Sequence, residues 1–216
     1  MYYKAALFDL DGVVLDTESQ YSFFWESQFQ LYFPKTVGLS LKIKGQTLSQ
    51  IYKKYFADLK DEQPIITKRL DNFEQSMSFK YIEGFEDFVR DLKQNGIKTA
   101  IVTSSNHPKM MNVYKYHPEF KQMFDIILTS EDFSKSKPAP DCYLAGARRL
   151  GLLSTECIGF EDSFNGLLSV RAADMFVVGL STTNTADSIR QFSDVIINNY
   201  NGLDYKKMCE LITSFH

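Results

Sequence analysis

Cysteine is scarce in this chain: Cys142, Cys157 and Cys209 are three in 216 residues. They are odd in number, widely spaced and free of any C-x-x-C pair. That excludes a disulfide framework and a cysteine-held zinc site, and each reads as a small buried apolar residue. Long hydrophobic runs are missing too, and nothing approaches the roughly 20 apolar residues needed to span a bilayer. There is no excess of positive charge, since 24 Lys and Arg stand against 27 Asp and Glu, so overall electrostatics give no support to nucleic-acid binding. The opening MYYKAALFDLDG meets acidic residues before a signal-peptide core can form, and the expectation is a cytoplasmic protein. Repeats, low-complexity tracts and Gly/Ser linkers are absent. No feature of the chain speaks to its oligomeric state. The composition that remains is ordinary for a globular protein, 44% hydrophobic and 24% charged, and long enough for one core and a small insert.

Six short apolar runs read as buried strands: Ala5 to Phe8, Thr99 to Val102, Asp125 to Leu128, Cys157 to Phe160, Phe176 to Gly179, and Val195 to Ile197. Runs without polar alternation suit strands covered on both faces, as in a parallel sheet. Helical spacing lies between them. Phe85, Phe88, Val89 and Leu92 recur before Gly96, and Tyr143, Leu144, Ala147 and Leu150 recur before Gly151, each glycine acting as a helix stop. The expected fold is therefore α/β, a doubly wound parallel sheet. Residues 17–83 break the rhythm. They are rich in aromatics and helical in spacing, far longer than a simple crossover requires. The organisation expected is a core of residues 1–16 and 84–216 with a helical cap at 17–83, hinged near Asp16 to Thr17 and Glu83 to Gly84.

The residues just past each strand are more telling. The runs lead into Asp9-Leu10-Asp11-Gly12, then Thr103-Ser104-Ser105, then a loop to Ser136-Lys137-Pro138, then Glu161-Asp162-Ser163. Ligands of open α/β sheets bind beyond the carboxyl ends of the strands, so acids, hydroxyls and a lysine converge on one edge. These residue types suit phosphoryl transfer to a carboxylate. One of Asp9 and Asp11 can attack phosphorus while the other handles protons, with Gly12 permitting the turn. A carboxylate approaching a phosphate needs its charge offset. Mg2+ does this with carboxylate and phosphate oxygens, Asp162 and Glu161 supplying further ligands. Lys137, the Thr103 hydroxyl and nearby backbone N–H groups, with Ser104 and Ser105, can hold the phosphoryl oxygens. Blander roles coexist: Thr103 can start a helix, and Glu161 and Asp162 can cap one.

DLDGVVLDT at 9–17, IVTSS at 101–105, SKPAPD at 136–141 and GFEDSFNG at 159–166 resemble, in order and spacing, the four signature motifs of the haloacid dehalogenase superfamily. The chain is similar more narrowly to its beta-phosphoglucomutase-like phosphatase group, whose helical cap comes after the first motif. The resemblance implies a Rossmann-like core and Asp9 as the nucleophile of an aspartyl-phosphate. It implies Asp11 as general acid and base, Thr103 as phosphoryl-binding and Lys137 as stabilising. It also implies Mg2+ held by Asp9, the Asp11 backbone carbonyl and Asp162, with Glu161 direct or through water. The substrate implied is a small phosphorylated metabolite, such as a sugar phosphate. The D-x-D pair points to phosphate chemistry, since the dehalogenases lack the second aspartate.

The mutase branch differs from this chain at three places. Tyr21 stands where that branch has a cap histidine, Leu48 where it has an arginine for the second phosphate, and Asn106 where it has a lysine. A phosphatase is therefore expected over a phosphomutase. Arg69 and Tyr21 are candidate substrate contacts from the cap. The aromatic run from Tyr21 to Trp25 otherwise reads as cap core, and Lys42, Lys44, Lys53 and Lys54 as a solvated face. Asp16 either braces the hinge or lies in solvent. His107, close to the second motif, is either a substrate contact or, as the preferred reading, a solvated helix-start residue, and His117 and His216 have no partner at metal spacing.

Overall fold

The computed structural model describes residues 3–44 and 46–215. Gly45 of the Ile43–Leu48 stretch and His216 lie outside the described residues. The chain runs β1 (Ala5–Phe8), then four helices α1 (Glu18–Tyr32), α2 (Leu39–Lys42), α3 (Leu48–Tyr55) and α4 (Gln63–Ser76). It continues with α5 (Phe85–Gln94), β2 (Lys98–Val102), α6 (His107–Tyr116), β3 (Ile126–Leu128), α7 (Asp141–Arg149) and β4 (Cys157–Glu161). It closes with α8 (Phe164–Ala172), β5 (Phe176–Leu180), α9 (Ala186–Ile189), β6 (Val195–Ile197) and α10 (Tyr205–Phe215). Each expected strand is present, with ends shifted by a residue or so. β3 starts at Ile126 because Asp125 instead accepts the Thr99 N–H at 2.7 Å and secures the edge of the sheet.

The strands form one six-stranded sheet in the order β3-β2-β1-β4-β5-β6, every pair parallel. Period-two alternation sends Ala6 and Phe8 of β1 to one face, with Phe160, Val178 and the α5 residues Phe85 and Phe88. It sends Ala5 and Leu7 to the other, with Val177, Tyr143 of α7 and Leu167 of α8. Both faces are dry, so apolar runs rather than alternating ones mark these strands. Phe8 stacks on Phe160 with centroids 4.5 Å apart and meets the edge of Phe85 at 5.4 Å, which locks β1 to β4 and to α5. Strand order reverses between β1 and β4, and the crevice beyond their carboxyl ends is where such sheets hold ligands.

Helices α1–α4 have a core of their own, built on Phe24, Trp25, Phe29, Ile51, Phe56 and Ile66. Their link to the sheet is narrow. The Asp16 N–H donates to the Lys80 carbonyl at 2.8 Å and the Ile82 N–H to the Val14 carbonyl at 2.9 Å, so the outgoing and returning chains run side by side. Asp16 braces this crossing with its backbone while the residue is exposed. Gln50 of α3 donates to the Lys137 carbonyl at 3.1 Å, and Lys44 to the Thr183 carbonyl at 3.4 Å. The helical insert is therefore seated on the strand ends. Cys142 and Cys157 are buried, Cys209 is half-buried, and all three are free thiols. No helix among the described residues is long and apolar enough to cross a membrane.

Candidate active site at the carboxyl ends of the strands

Asp9 leaves β1 with its N–H bound to the Phe160 carbonyl of β4 at 3.1 Å, which sets its carboxylate at the strand-order reversal. Lys137, only 2% exposed, places its ammonium 2.5 Å from Asp9 Oδ1 and 2.5 Å from Glu161 Oε1, and donates to the Val102 carbonyl at 3.2 Å. An ammonium taken so far out of water must be paired on every side, and here it is. Glu161 is fully buried and accepts the Tyr143 hydroxyl at 3.1 Å on the same oxygen. Its other oxygen accepts the Asp162 N–H at 3.2 Å and the Ser163 hydroxyl at 3.3 Å. Gly166 lies so close that a Cβ there would fall about 2 Å from this carboxylate. Glu161 thus anchors Lys137.

Asp162 is different. Its Oδ2 is buried without a hydrogen bond of good geometry, although the Thr183 hydroxyl stands nearby. Its backbone carbonyl is held by the Asn184 side chain at 2.9 Å. Asp9, Glu161 and Asp162 each offer an oxygen, all within 4.8 Å of one another. An all-oxygen donor set with an unsatisfied buried carboxylate oxygen fits a hard divalent cation such as Mg2+. The electrostatics point the same way. Burial, then the charges of Glu18, Glu161 and Asp9, push the Asp162 carboxyl well above its ordinary range. Burial likewise pushes Asp9 up to about 7 against the pull of Lys137, with Glu161 and Asp11 adding to the rise. A bound cation would relieve both.

The Asp11 side chain turns away from this cluster. It accepts Thr17 Oγ1 at 2.5 Å and Ser105 Oγ at 3.1 Å, and both its oxygens lie 2.5 Å from Lys109 Nζ. Burial would raise its pKa, but Lys109 and the two hydroxyls outweigh burial and lower it. The Thr103 hydroxyl accepts the Ser105 N–H at 3.0 Å and so shapes the turn after β2. It does not start a helix, because Asn106 is the N-cap of α6, accepting the Lys109 N–H at 3.0 Å. Ser104 Oγ is buried without a partner beside the cavity.

Asp9, Asp11, Thr103, Ser104, Ser105, Lys109, Lys137 and Asp162 line one cavity of about 440 Å³ between the strand ends and the insert. Tyr21, Leu48, Lys44, Glu18 and Glu74 close it from the insert side. Arg69, expected at the substrate, is not among the lining residues: it is exposed and donates to Gln28 and Tyr32 at 3.1 and 3.2 Å. The inward face of α4 carries Ile66, Leu70 and Glu74 at four-residue steps, and Arg69 falls beside that stripe. Lys44, expected in solvent, is half-buried at the cavity, while Lys42, Lys53 and Lys54 are exposed as expected. His107 is exposed, and His117 pins the chain before α5 through the Phe79 carbonyl at 2.7 Å. Sequence reasoning missed Lys109, Glu18, Glu74 and Asn184. The polar run Ser181-Thr182-Thr183-Asn184-Thr185 after β5 was a usable signal, since it too trails a strand to the ligand-binding edge. Lys109 offered none, its partner lying 98 residues away.

The family model for haloacid dehalogenase-like hydrolases matches residues 6–180. The chain is 26% identical over 206 residues to a bifunctional riboflavin kinase/FMN phosphatase of Arabidopsis thaliana, covering 90% of this chain and 53% of that protein. It therefore spans about half the length of that relative. It is 29% identical over 186 residues to hexitol phosphatase A of Escherichia coli, covering 82% of this chain and 83% of the other. Among solved structures, a beta-phosphoglucomutase from Clostridium difficile superposes with a TM-score of 0.81 at 23% identity, covering 100% of this chain and 99% of that one. At that identity the likeness speaks to fold.

Proposed function

Because the chain belongs to the haloacid dehalogenase-like hydrolases, we propose that it is a Mg2+-dependent phosphatase of a small phosphorylated metabolite, working through an aspartyl-phosphate on Asp9. The observation that carries this is the pairing of Asp9 with the buried Lys137 beside the Asp162 oxygen that lacks a good hydrogen bond. Asp9 and Asp162 are the side chains to hold Mg2+, with the Asp11 carbonyl as a further oxygen and Glu161 contributing directly or through water. The bound ion supplies charge neutralisation between the nucleophile and the phosphoryl group.

In the first step an Asp9 carboxylate oxygen attacks phosphorus, the ester P–O bond breaks, and the departing oxygen takes a proton that Asp11, its pKa otherwise held down, picks up from solvent as the anionic substrate enters. In the second, Asp11 takes a proton from water as that water's oxygen bonds to phosphorus. The Asp9–phosphorus link then breaks to release phosphate. Lys137, Thr103 and the Ser104–Ser105 turn hold the phosphoryl oxygens in both steps. Residues 17–83 act as a cap that opens at the two chain crossings and closes over the substrate. Free thiols suit a cytoplasmic setting.

A phosphatase fits better than a phosphomutase. Lys137 and Lys109, two of the cavity's lysines, are committed to carboxylates, while the insert wall presents Glu18 and Glu74. That wall has Leu48 where the mutase branch has an arginine for the second phosphate, and its lysine, Lys44, donates to the Thr183 carbonyl at 3.4 Å. Phosphate release from a panel of sugar phosphates and nucleotides, with and without Mg2+, tests the reading. Asp9→Asn is expected to abolish Mg2+-dependent release, and turnover retained in that variant would sink it.

A further inference from the structure

Lys109 belongs to none of the four motifs, yet it is the closest charged neighbour of the proposed proton carrier. It projects from the first turn of α6, is 4% exposed, and sets its ammonium 2.5 Å from both oxygens of Asp11. The same ammonium lies 4.4 Å from the ring centroid of Tyr21 on α1. The Tyr21 hydroxyl donates to Glu74 Oε1 on α4 at 2.7 Å, and Glu74 is itself 7% exposed. A continuous series of contacts thus runs from the core to the insert: Asp11, Lys109, Tyr21, Glu74.

We propose that Lys109 is a positioning residue: it fixes the Asp11 carboxylate in its working orientation and makes that orientation depend on the seating of the insert through Tyr21. The inference rests on Asp11 carrying the proton in the proposed phosphatase reaction. The terminal torsion of an aspartate is soft, and single hydroxyl bonds to a carboxylate, such as those from Thr17 and Ser105, contribute about 1.5–3 kcal/mol each and hold one oxygen apiece. An ammonium within reach of both oxygens, with both partners charged, is the stronger restraint. The attraction of the ammonium to the Tyr21 ring exists only while α1 lies against α6. Swinging the insert away would strip Lys109 of that ring and loosen its hold on Asp11. A buried ion pair kept for stability alone is a poor choice, since apolar groups of similar volume do as well. A pair kept beside the reacting groups, on the cavity wall, has a use.

The test is a double-mutant cycle on p-nitrophenyl phosphate turnover with Mg2+. Lys109→Met is expected to lower kcat about 10–100-fold, in line with the cost of misplacing a reacting group by about 1 Å, and to leave KM within about threefold. Lys109→Arg is expected to recover part of the loss. In an Asp11→Asn background the Lys109→Met change is expected to add less than about threefold, because its only route is through Asp11. Tyr21→Leu, which removes the ring, is expected to lower kcat in the same direction by a smaller factor. Losses that multiply with Asp11→Asn, or a KM rise at unchanged kcat, would overturn the proposal while leaving the phosphatase reading intact. Wild-type turnover in Asp11→Asn alone would overturn both. Should Lys109→Met fail to fold, as its thermal midpoint will show, the same cycle is run with Lys109→Arg and Tyr21→Leu.

Discussion

Lys137 forms ion pairs with both Asp9 and Glu161, whereas Lys109 forms its ion pair with Asp11. The two aspartates lie two residues apart and are held in opposite ways. Asp9, buried and crowded by Glu161 and Asp11, is pushed up to about 7 against the pull of the lysine it shares. Asp11, with a lysine and two hydroxyls to itself, is pulled down. The Asp9 half is built wholly from the sheet and is short of positive charge, which is the condition for admitting a cation and a phosphoryl group. The Asp11 half is built across the seam between sheet and insert, and there the Asp11 carboxylate itself is paired. A carboxylate meant to change partners during the reaction is thus under-neutralised, and one meant to be aimed is fully paired.

The sharpest way to break this comparison is to remove Lys137. Lys137→Met leaves Asp9 and Glu161 facing each other in a dry site. Deleting one partner of a buried pair costs about 3–5 kcal/mol, and loss of an electrostatic donor to the phosphoryl group costs about 10²–10³ in rate. Both losses are expected together, read by thermal unfolding and by phosphate release, whereas Lys109→Met should lower rate with the smaller stability change. Equal stability losses in the two variants would erase the distinction between a shared and an unshared lysine.

A second, smaller effect probes the metal half. Gly12 has φ +75°, and a Cβ on it would lie 2.1 Å from Asp162 Oδ2 and 2.7 Å from Thr183 Oγ1. Gly12→Ala costs about 1–2 kcal/mol for the left-handed backbone and displaces the oxygen expected to bind Mg2+. The Mg2+ concentration for half-maximal activity is expected to rise about 10–100-fold, the usual cost of disturbing groups that orient metal ligands. An unchanged Mg2+ requirement would detach Asp162 from the metal.

The two halves also differ in how far they can be read from sequence. Asp9, Thr103, Lys137, Glu161 and Asp162 each come at or after the end of an apolar run that reads as a buried strand, and the parallel sheet then brings their ends to one edge. That inference needs no long-range pairing beyond the sheet itself. The insert carries no such ruler. Helical spacing marks a buried stripe, but which residues flanking it meet the cavity depends on how the insert is docked. Arg69 and Lys44 were exchanged for that reason: both sit beside apolar stripes, and docking turned Lys44 inward and left Arg69 with Gln28 and Tyr32. Lys109 was hidden because a lysine three residues after an N-cap reads as a solvated first-turn residue. Its burial comes from Asp11 and Tyr21, which reach it from elsewhere in the chain.

The smallest expected effect concerns Glu18, which stands between the halves. At the first position of α1 an acid ordinarily stabilises the helix by up to about 1 kcal/mol. Here burial, then the charge of Asp11, push it up to about 7, and Lys44 and Lys109 only partly offset the rise. A carboxyl whose native pKa exceeds its unfolded value of 4.5 holds its proton longer in the folded state. Stability therefore falls as pH rises from that value through about 7, and below it the two states bind the proton alike. In EDTA-treated protein, Glu18→Gln is expected to raise the thermal midpoint at pH 8 by about 2–4 °C, equivalent to about 1 kcal/mol in a chain of this size. At about pH 4, where both states are protonated, no gain is expected. A gain of the same size at both pH values would place the benefit in packing, and a loss at pH 8 would mean that the helix-end interaction outweighs the crowding of acids at the seam.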